Sequence, residues 1–251
     1  MQGKKYPIFA AAVIFLSFVP VLLQAETNWL EKGTHVLNSL SAPQSKQQGL
    51  SNQEIGSGLK EALKVGTENV VRQLGAVDGF NNDAQIHIPL PQEFATVKSV
   101  LGKVGMAGML DDLELKLNRA AEAATPKAKE LFWKAITEMT ISDVQGIYSG
   151  PSDAATKYFQ GKMTPELAKA MKPIVDKSLA EVGAVQLYDQ VMAQYKAMPF
   201  VPDVKADLTR HVLDKGMDGI FYYMAKEEAA IRSDPAKRTS QILQKVFGAT
   251  R

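Results

Sequence analysis

From Ser51 onward the chain is punctuated as a succession of helices, and this constrains its fold more than any other feature. Ser51-Asn52-Gln53-Glu54 reads as a capping box. The serine oxygen can accept from a first-turn amide while Glu54 reaches back to the cap's own N–H. Ile55, Leu59, Ala62, Leu63, Gly66, Val70, Val71 and Leu74 then recur at helical spacing, and Gly75 suits the stop. Gly58, Ala62 and Gly66 fall four apart and line one face with almost no side chain, a groove that lets another helix come close.

Prolines mark the later starts. Thr125-Pro126, Thr164-Pro165 and Asp234-Pro235 each place a capping side chain before a proline at the first helical position, where the missing N–H is no loss. Ser149-Gly150-Pro151 and Pro199 to Pro202 read as breaks, and Pro173 should kink or split its run. The pattern predicts helices near 51–74, 91–104, 108–124, 126–139, 152–161, 165–181, 184–197, 204–231 and 235–247. Gly216 and Gly219 offer bending points in the long one. One segment departs from the pattern. Gln85 to Pro91 alternates apolar and polar and ends in prolines that forbid a central strand, so 85–90 is expected as an extended, strand-like strap with Ile86, Ile88 and Leu90 on the helical core. The fold expected is all-α, a single bundle of about eight to ten helices over 51–251.

Ahead of this domain, Lys4 and Lys5 precede an apolar run from Ile8 to Leu23 that ends at Ala25. That is the layout of a secretory signal peptide cut after Ala25, predicting a periplasmic or secreted protein with no stable membrane span after cleavage. Residues 26–50 are expected to hold a short helix (28–40) and a polar linker. The chain has no cysteine, so an exported form depends on packing alone, without disulfide, thiolate nucleophile or acylated cysteine. Apolar residues make up 45% of it, enough for a sizeable core. The chain carries 29 basic and 27 acidic residues, and both lysines of the leader leave with it, so the remainder is neutral. A neutral chain has no global field to draw nucleic acid.

No motif names a reaction. His35, His87 and His211 stand far apart, without metal-ligand spacing, and no cofactor or metal is expected. The Asp78–Asp83 loop lacks the EF-hand register, and Gly146-Ile147-Tyr148-Ser149-Gly150 has the wrong spacing for a nucleophile elbow. Two polar clusters remain as ligand-binding candidates. Asn118 and Glu122 share a face beside alanines, with Arg119 between them, and Glu228 and Arg232 stand in the favourable i,i+4 order. One reading makes them the wall of a polar pocket in which arginine grips an anionic head group. The other makes them interhelical pairs that fix packing register. The apolar stripe of Ile242, Leu243, Val246 and Phe247, with Lys237, Arg238, Lys245 and Arg251 around it, suits either a membrane surface or the closure of a bundle, and closure is the reading preferred.

Several of these segments, taken in order, carry a resemblance. Gly58-Leu59-Lys60-Glu61-Ala62-Leu63, Ile88-Pro89-Leu90-Pro91, Leu117 to Glu122, Asp153 to Phe159, Glu227 to Pro235 and Val246-Phe247-Gly248 together resemble the bacterial family called domain of unknown function 4197, over roughly residues 50–248. The resemblance implies an exported, mostly helical protein, and it supplies no catalytic residues. Some family members carry a lipobox cysteine, which this chain lacks. The function expected is therefore non-catalytic: binding of an apolar or amphiphilic ligand such as a lipid between helices, or of an envelope protein. The alternatives are an enzyme using Glu122 or Glu228 as acid/base, and a pure interaction module presenting the Ile86–Leu90 strap or the last helix. A lipid carrier requires an enclosed apolar cavity of several hundred Å3, with Arg119 or Arg232 at its mouth.

Overall fold

The structure, a computed structural model of the chain, describes residues 50–248. The expected leader over 1–25 and the short helix and linker that follow it lie outside the described residues, save Leu50. Eight α-helices follow one another: α1 (Asn52–Leu74), α2 (Phe94–Lys103), α3 (Ala107–Glu138), α4 (Ile141–Tyr148), α5 (Ala154–Glu181), α6 (Ala184–Lys196), α7 (Leu208–Ser233) and α8 (Gln241–Gly248). A single 3-10 turn, Pro235–Lys237, joins the last two, and the described residues contain no strand. The all-α bundle expected from the sequence is the fold observed.

The long helices α1, α3, α5 and α7 pack in a closed ring, each against the next and α7 back against α1, with α3 also touching α7. The short helices attach outside the ring, α4 and α8 on α1, and α2 and α6 on α3. Leu59, Leu74, Leu110, Leu113, Leu117, Ile136, Phe159 and Val191 are among the side chains shut off from solvent at the centre. The small face of α1 has the use expected of it. A Cβ added to Gly58 would lie 2.5 Å from a methyl of Val246 on α8, so the glycine is what lets α8 close on α1.

α1 opens on the predicted box, with the Glu54 amide donating to Ser51 Oγ at 3.2 Å and the Ser51 amide to Glu54 Oε2 at 3.0 Å. The Thr-Pro pairs do not start helices. Pro126 lies inside α3, and both Pro165 and Pro173 lie inside α5. The Thr125 and Thr164 hydroxyls turn back instead to donate to the Ala121 and Gln160 carbonyls, at 2.8 and 2.7 Å. An interior proline costs about 3 kcal/mol. The apolar stripe runs on past each one (Ala128 and Phe132 beyond Pro126, Leu167 and Met171 beyond Pro165), and a buried side chain is worth about 1.5–3 kcal/mol, so burial outweighs the missing bond. Pro126 also has a seat: its ring lies where a side chain on Gly75 would be, 2.8 Å from the Cβ position.

Two other expectations shift. Residues 141–148, which fall outside the expected helices, form α4, started by a second capping box between Thr140 and Asp143. Asp234-Pro235 starts only the 3-10 turn, Asp234 accepting from the Ala236 amide at 2.9 Å, and α8 begins at Gln241. The strap behaves as expected in its packing: Ile86 and Ile88 are buried and Leu90 is half-buried against the core. Its backbone is not strand-like, however: residues 84–86 form a turn, closed by the His87 amide donating to the Asp83 carbonyl at 2.9 Å, and 87–90 are irregular.

Candidate functional site

Glu114, Asn118 and Glu122 stand at i, i+4 and i+8 on α3, so they form one polar stripe along a helix whose neighbouring faces are alanine and leucine. The stripe grips the backbone of residues 78–90. Glu122 Oε1 accepts from the amides of Phe80 and Asn81, both at 3.1 Å. Asn118 is shut off from solvent and brackets Ile88, accepting from its amide and donating to its carbonyl, each at 2.9 Å. Glu114 accepts from the Leu90 amide at 3.0 Å and pairs with His87 Nε2 at 2.9 Å. Arg119 closes the upper end, donating to Glu122 Oε2 and to Asp78 Oδ1 at 2.7 Å each. The Glu122 bond, and then Asp78, hold the guanidinium above its ordinary pKa, while Asn81 and Arg119 hold the Asp78 carboxyl below its own.

The strap is bolted from the other side by α7. Tyr223 donates to the Asp83 carboxylate, Tyr222 to the Gln85 side chain at 3.3 Å, and His211 Nε2 meets the Pro89 carbonyl at 2.7 Å. Gly219 leaves room beneath: an added Cβ would sit 2.8 Å from the Phe80 ring and 3.2 Å from Ile86. Asn118, Arg119 and Glu122 thus share a site, and its visible work is to hold an irregular segment whose buried N–H and C=O groups have no helix or sheet to satisfy them.

Glu228 and Arg232 form a second cluster at a different place, on α7, and it joins two helix ends. Asp153 supplies no side-chain cap at the start of α5. Glu228 does so instead, accepting from the Ala155 and Thr156 amides at 2.9 Å and from the Thr156 hydroxyl at 3.0 Å. Arg232 donates to the Ile147 and Tyr148 carbonyls at the end of α4, at 2.9 and 3.4 Å, and to Glu228 Oε1 at 3.1 and 2.9 Å. A carboxylate meets a helix N-terminus and a guanidinium a C-terminus, each the sign the helix dipole favours. Residues 149–153 turn the chain between them. Arg238 repeats the device at the end of α7, donating to the Ile231 and Arg232 carbonyls at 3.1 and 2.9 Å.

The first cluster therefore fastens an irregular segment to α3, and the second joins the ends of α4 and α5 to α7. Glu114, His87, Asp78 and Thr156 belong to the same fasteners; in the sequence His87 and Asp78 are weighed only as metal ligands, and Glu114 and Thr156 are not singled out. The repeat of Glu114, Asn118 and Glu122 at four-residue spacing was the available signal for the first.

Space for a ligand is unequally distributed. Two internal cavities, one bounded by α1, α7 and α8 and the other by α3, α5 and α7, measure about 20 Å3 each. Beside α3 lies an open groove of about 550 Å3, lined by Val77, Asp112, Leu115, Lys116, Arg119 and Glu122 among others. Val77 is 78% exposed and Leu115 37%. Among the described residues no three of His, Asp and Glu gather as metal ligands would, and no helix is long and apolar enough to cross a membrane.

A family model described as Protein of unknown function (DUF4197) matches residues 49–248, which is all but one residue the span of the described domain. Neither a curated protein nor a solved structure matches the chain.

Proposed function

The chain belongs to the DUF4197 family of proteins of unknown function, and from that premise we propose that it is a non-catalytic binding protein of the cell envelope, offering the groove beside α3 to an extended segment of a partner protein. The observation that carries this reading is the groove itself, open to solvent and rimmed by exposed Val77 and Leu115. Its charged rim supplies both signs. Asp112 lines it as an acceptor, and the Lys116 ammonium, which donates to the Val182 carbonyl at 2.6 Å, as a donor. Apolar side chains beside charged groups of both signs, Asp112 and Glu122 with Lys116 and Arg119, suit a peptide, which presents apolar side chains together with its own N–H and C=O groups. An enzyme using Glu122 or Glu228 is less well supported, because both carboxylates already accept several hydrogen bonds as caps. A lipid carrier would need a helix to move, since the internal cavities are far below the roughly 300 Å3 at which ligand pockets begin. The envelope location rests on the leader-like first 25 residues.

The test is site-specific photo-crosslinking in the envelope fraction, with the probe at position 77 and, as a control, at exposed Ile141. One discrete adduct from position 77, absent from position 141 and abolished by Leu115→Arg, is the result expected. Equal adducts from both positions, or an adduct indifferent to Leu115→Arg, would overturn the groove. A lipid-mass adduct in native mass spectrometry, released on denaturation, would replace the peptide partner by an amphiphile.

A further inference from the structure

We propose that the cavity bounded by α1, α7 and α8 is a binding site for one ordered water, held between the Thr67 hydroxyl and the Arg232 guanidinium, whereas its equal between α3, α5 and α7 is dry. The two cavities have the same size, about 20 Å3 each. A water needs roughly 10–15 Å3 of such space and at least two polar partners, so volume permits occupancy of both and chemistry decides.

The first cavity has the chemistry. Thr67 is 1% exposed and lines it, and its hydroxyl has no hydrogen-bond partner among the described residues. Such a group is the kind that internal waters satisfy. The Glu228–Arg232 pair lines the same space. Glu228 is already committed, Oε1 accepting from the Ala155 amide and from Arg232, Oε2 from the Thr156 amide and hydroxyl. Arg232 is not. A guanidinium carries five N–H bonds. Nε gives its one to Glu228, Nη2 gives its two to Glu228 and Ile147, and Nη1 gives one to Tyr148. One N–H of Nη1 remains. A water accepting that proton and exchanging a hydrogen bond with Thr67 completes both groups. It also connects α1 to the fastener that joins α4, α5 and α7.

The second cavity has no such demand. Its walls are apolar side chains, Phe132, Leu167, Met171 and Met217 among them, and its single hydroxyl, that of Thr125, already donates to the Ala121 carbonyl at 2.8 Å. Apolar cavities of this kind stay empty and admit apolar guests such as xenon. This inference is independent of the groove beside α3 and stands or falls without it.

The experiment is water–protein NOE and ROE spectroscopy on the labelled protein, read at methyl groups that carry no exchangeable proton of their own. The Met224 methyl, in the first cavity, is expected to show cross-peaks of the sign given by a long-resident water. They should persist in Thr67→Ser and vanish in Thr67→Val, which keeps the side-chain shape and so the fold. The Met217 methyl, in the second cavity, should show none and should shift under xenon. Absence of the Met224 cross-peak, its survival in Thr67→Val, or an equal cross-peak at Met217 would each overturn the proposal.

Discussion

Tyr223 shows at the scale of one residue how this fold ties its irregular segment to a helix, and the tie has a pH signature. The phenol donates to the Asp83 carboxylate, and that bond, followed by burial, pushes its pKa from 10.0 up to about 12. The proton is then held more tightly in the folded state than in the unfolded one. The stability this bond contributes is complete below pH 10 and is lost as pH rises through about 12. The absorbance titration of phenolate in the parent protein, less that of Tyr223→Phe, should isolate a midpoint near the upper value. Asp83→Asn should return it towards the lower one. A difference curve centred on the ordinary tyrosine value in the parent would show that the bond does not persist in solution. Asn118 makes the same point without titrating: a polar residue in the core reads as a candidate ligand contact in sequence, yet both ends of its amide are consumed by Ile88.

At the scale of elements, glycines separate close approach from empty space. Gly58→Val would drive a side chain into Val246, since even a bare Cβ there lies 2.5 Å from a methyl of that valine and 3.0 Å from its Cβ. Overpacking of this kind costs about 1–3 kcal/mol, and here α8, a helix of 8 residues, is the element that can yield. Gly161 in α5 meets nothing within 4 Å. Gly161→Ala should therefore stabilise by about 0.5–1 kcal/mol, the propensity difference in a helix interior. Urea denaturation of the two variants would check the contrast, and equal midpoints would refute it. The same elements show what was legible beforehand. Helix content, the box at Ser51 and the close packing at Gly58 depend on neighbours in sequence or on periodicity, and these were readable. The starts expected at Pro126 and Pro165 failed because the deciding term was the burial of Phe132, Leu167 and Met171 against other helices. The cap of α5 was invisible for a similar reason: Glu228 lies 73 residues from the amide of Ala155 that it caps. In the candidate sites the residues were identifiable by type and spacing, but their partners are backbone groups of distant segments, which no local pattern records.

Over the whole molecule, the two fasteners should differ in how far their loss is felt. Glu228 and Arg232 bind α4, α5 and α7 at one point, and Arg232 also lies against Phe247 of α8. Removing one partner of a buried pair costs about 3–5 kcal/mol because the other charge is left unpaired. That is a large share of the roughly 5–15 kcal/mol by which a domain is stable, and it falls on the ring of long helices itself. Glu228→Ala should thus lower the protection of the slowest-exchanging amides throughout α1, α3, α5 and α7 together. Asn118→Ala breaks a contact of the strap alone, stranding the Ile88 amide and carbonyl at about 1–3 kcal/mol each. The ring keeps its own contacts, and the segment is also held by Glu122, Glu114 and α7, so the loss can be met by local opening. Native-state hydrogen exchange should show faster exchange at residues 80–90 in Asn118→Ala, with the α5 core amides reporting a smaller change than in Glu228→Ala. If Asn118→Ala instead accelerates strap and α5 amides equally, the strap is part of the cooperative core, and Phe80, Ile86 and Ile88 hold the ring together as much as the long helices do.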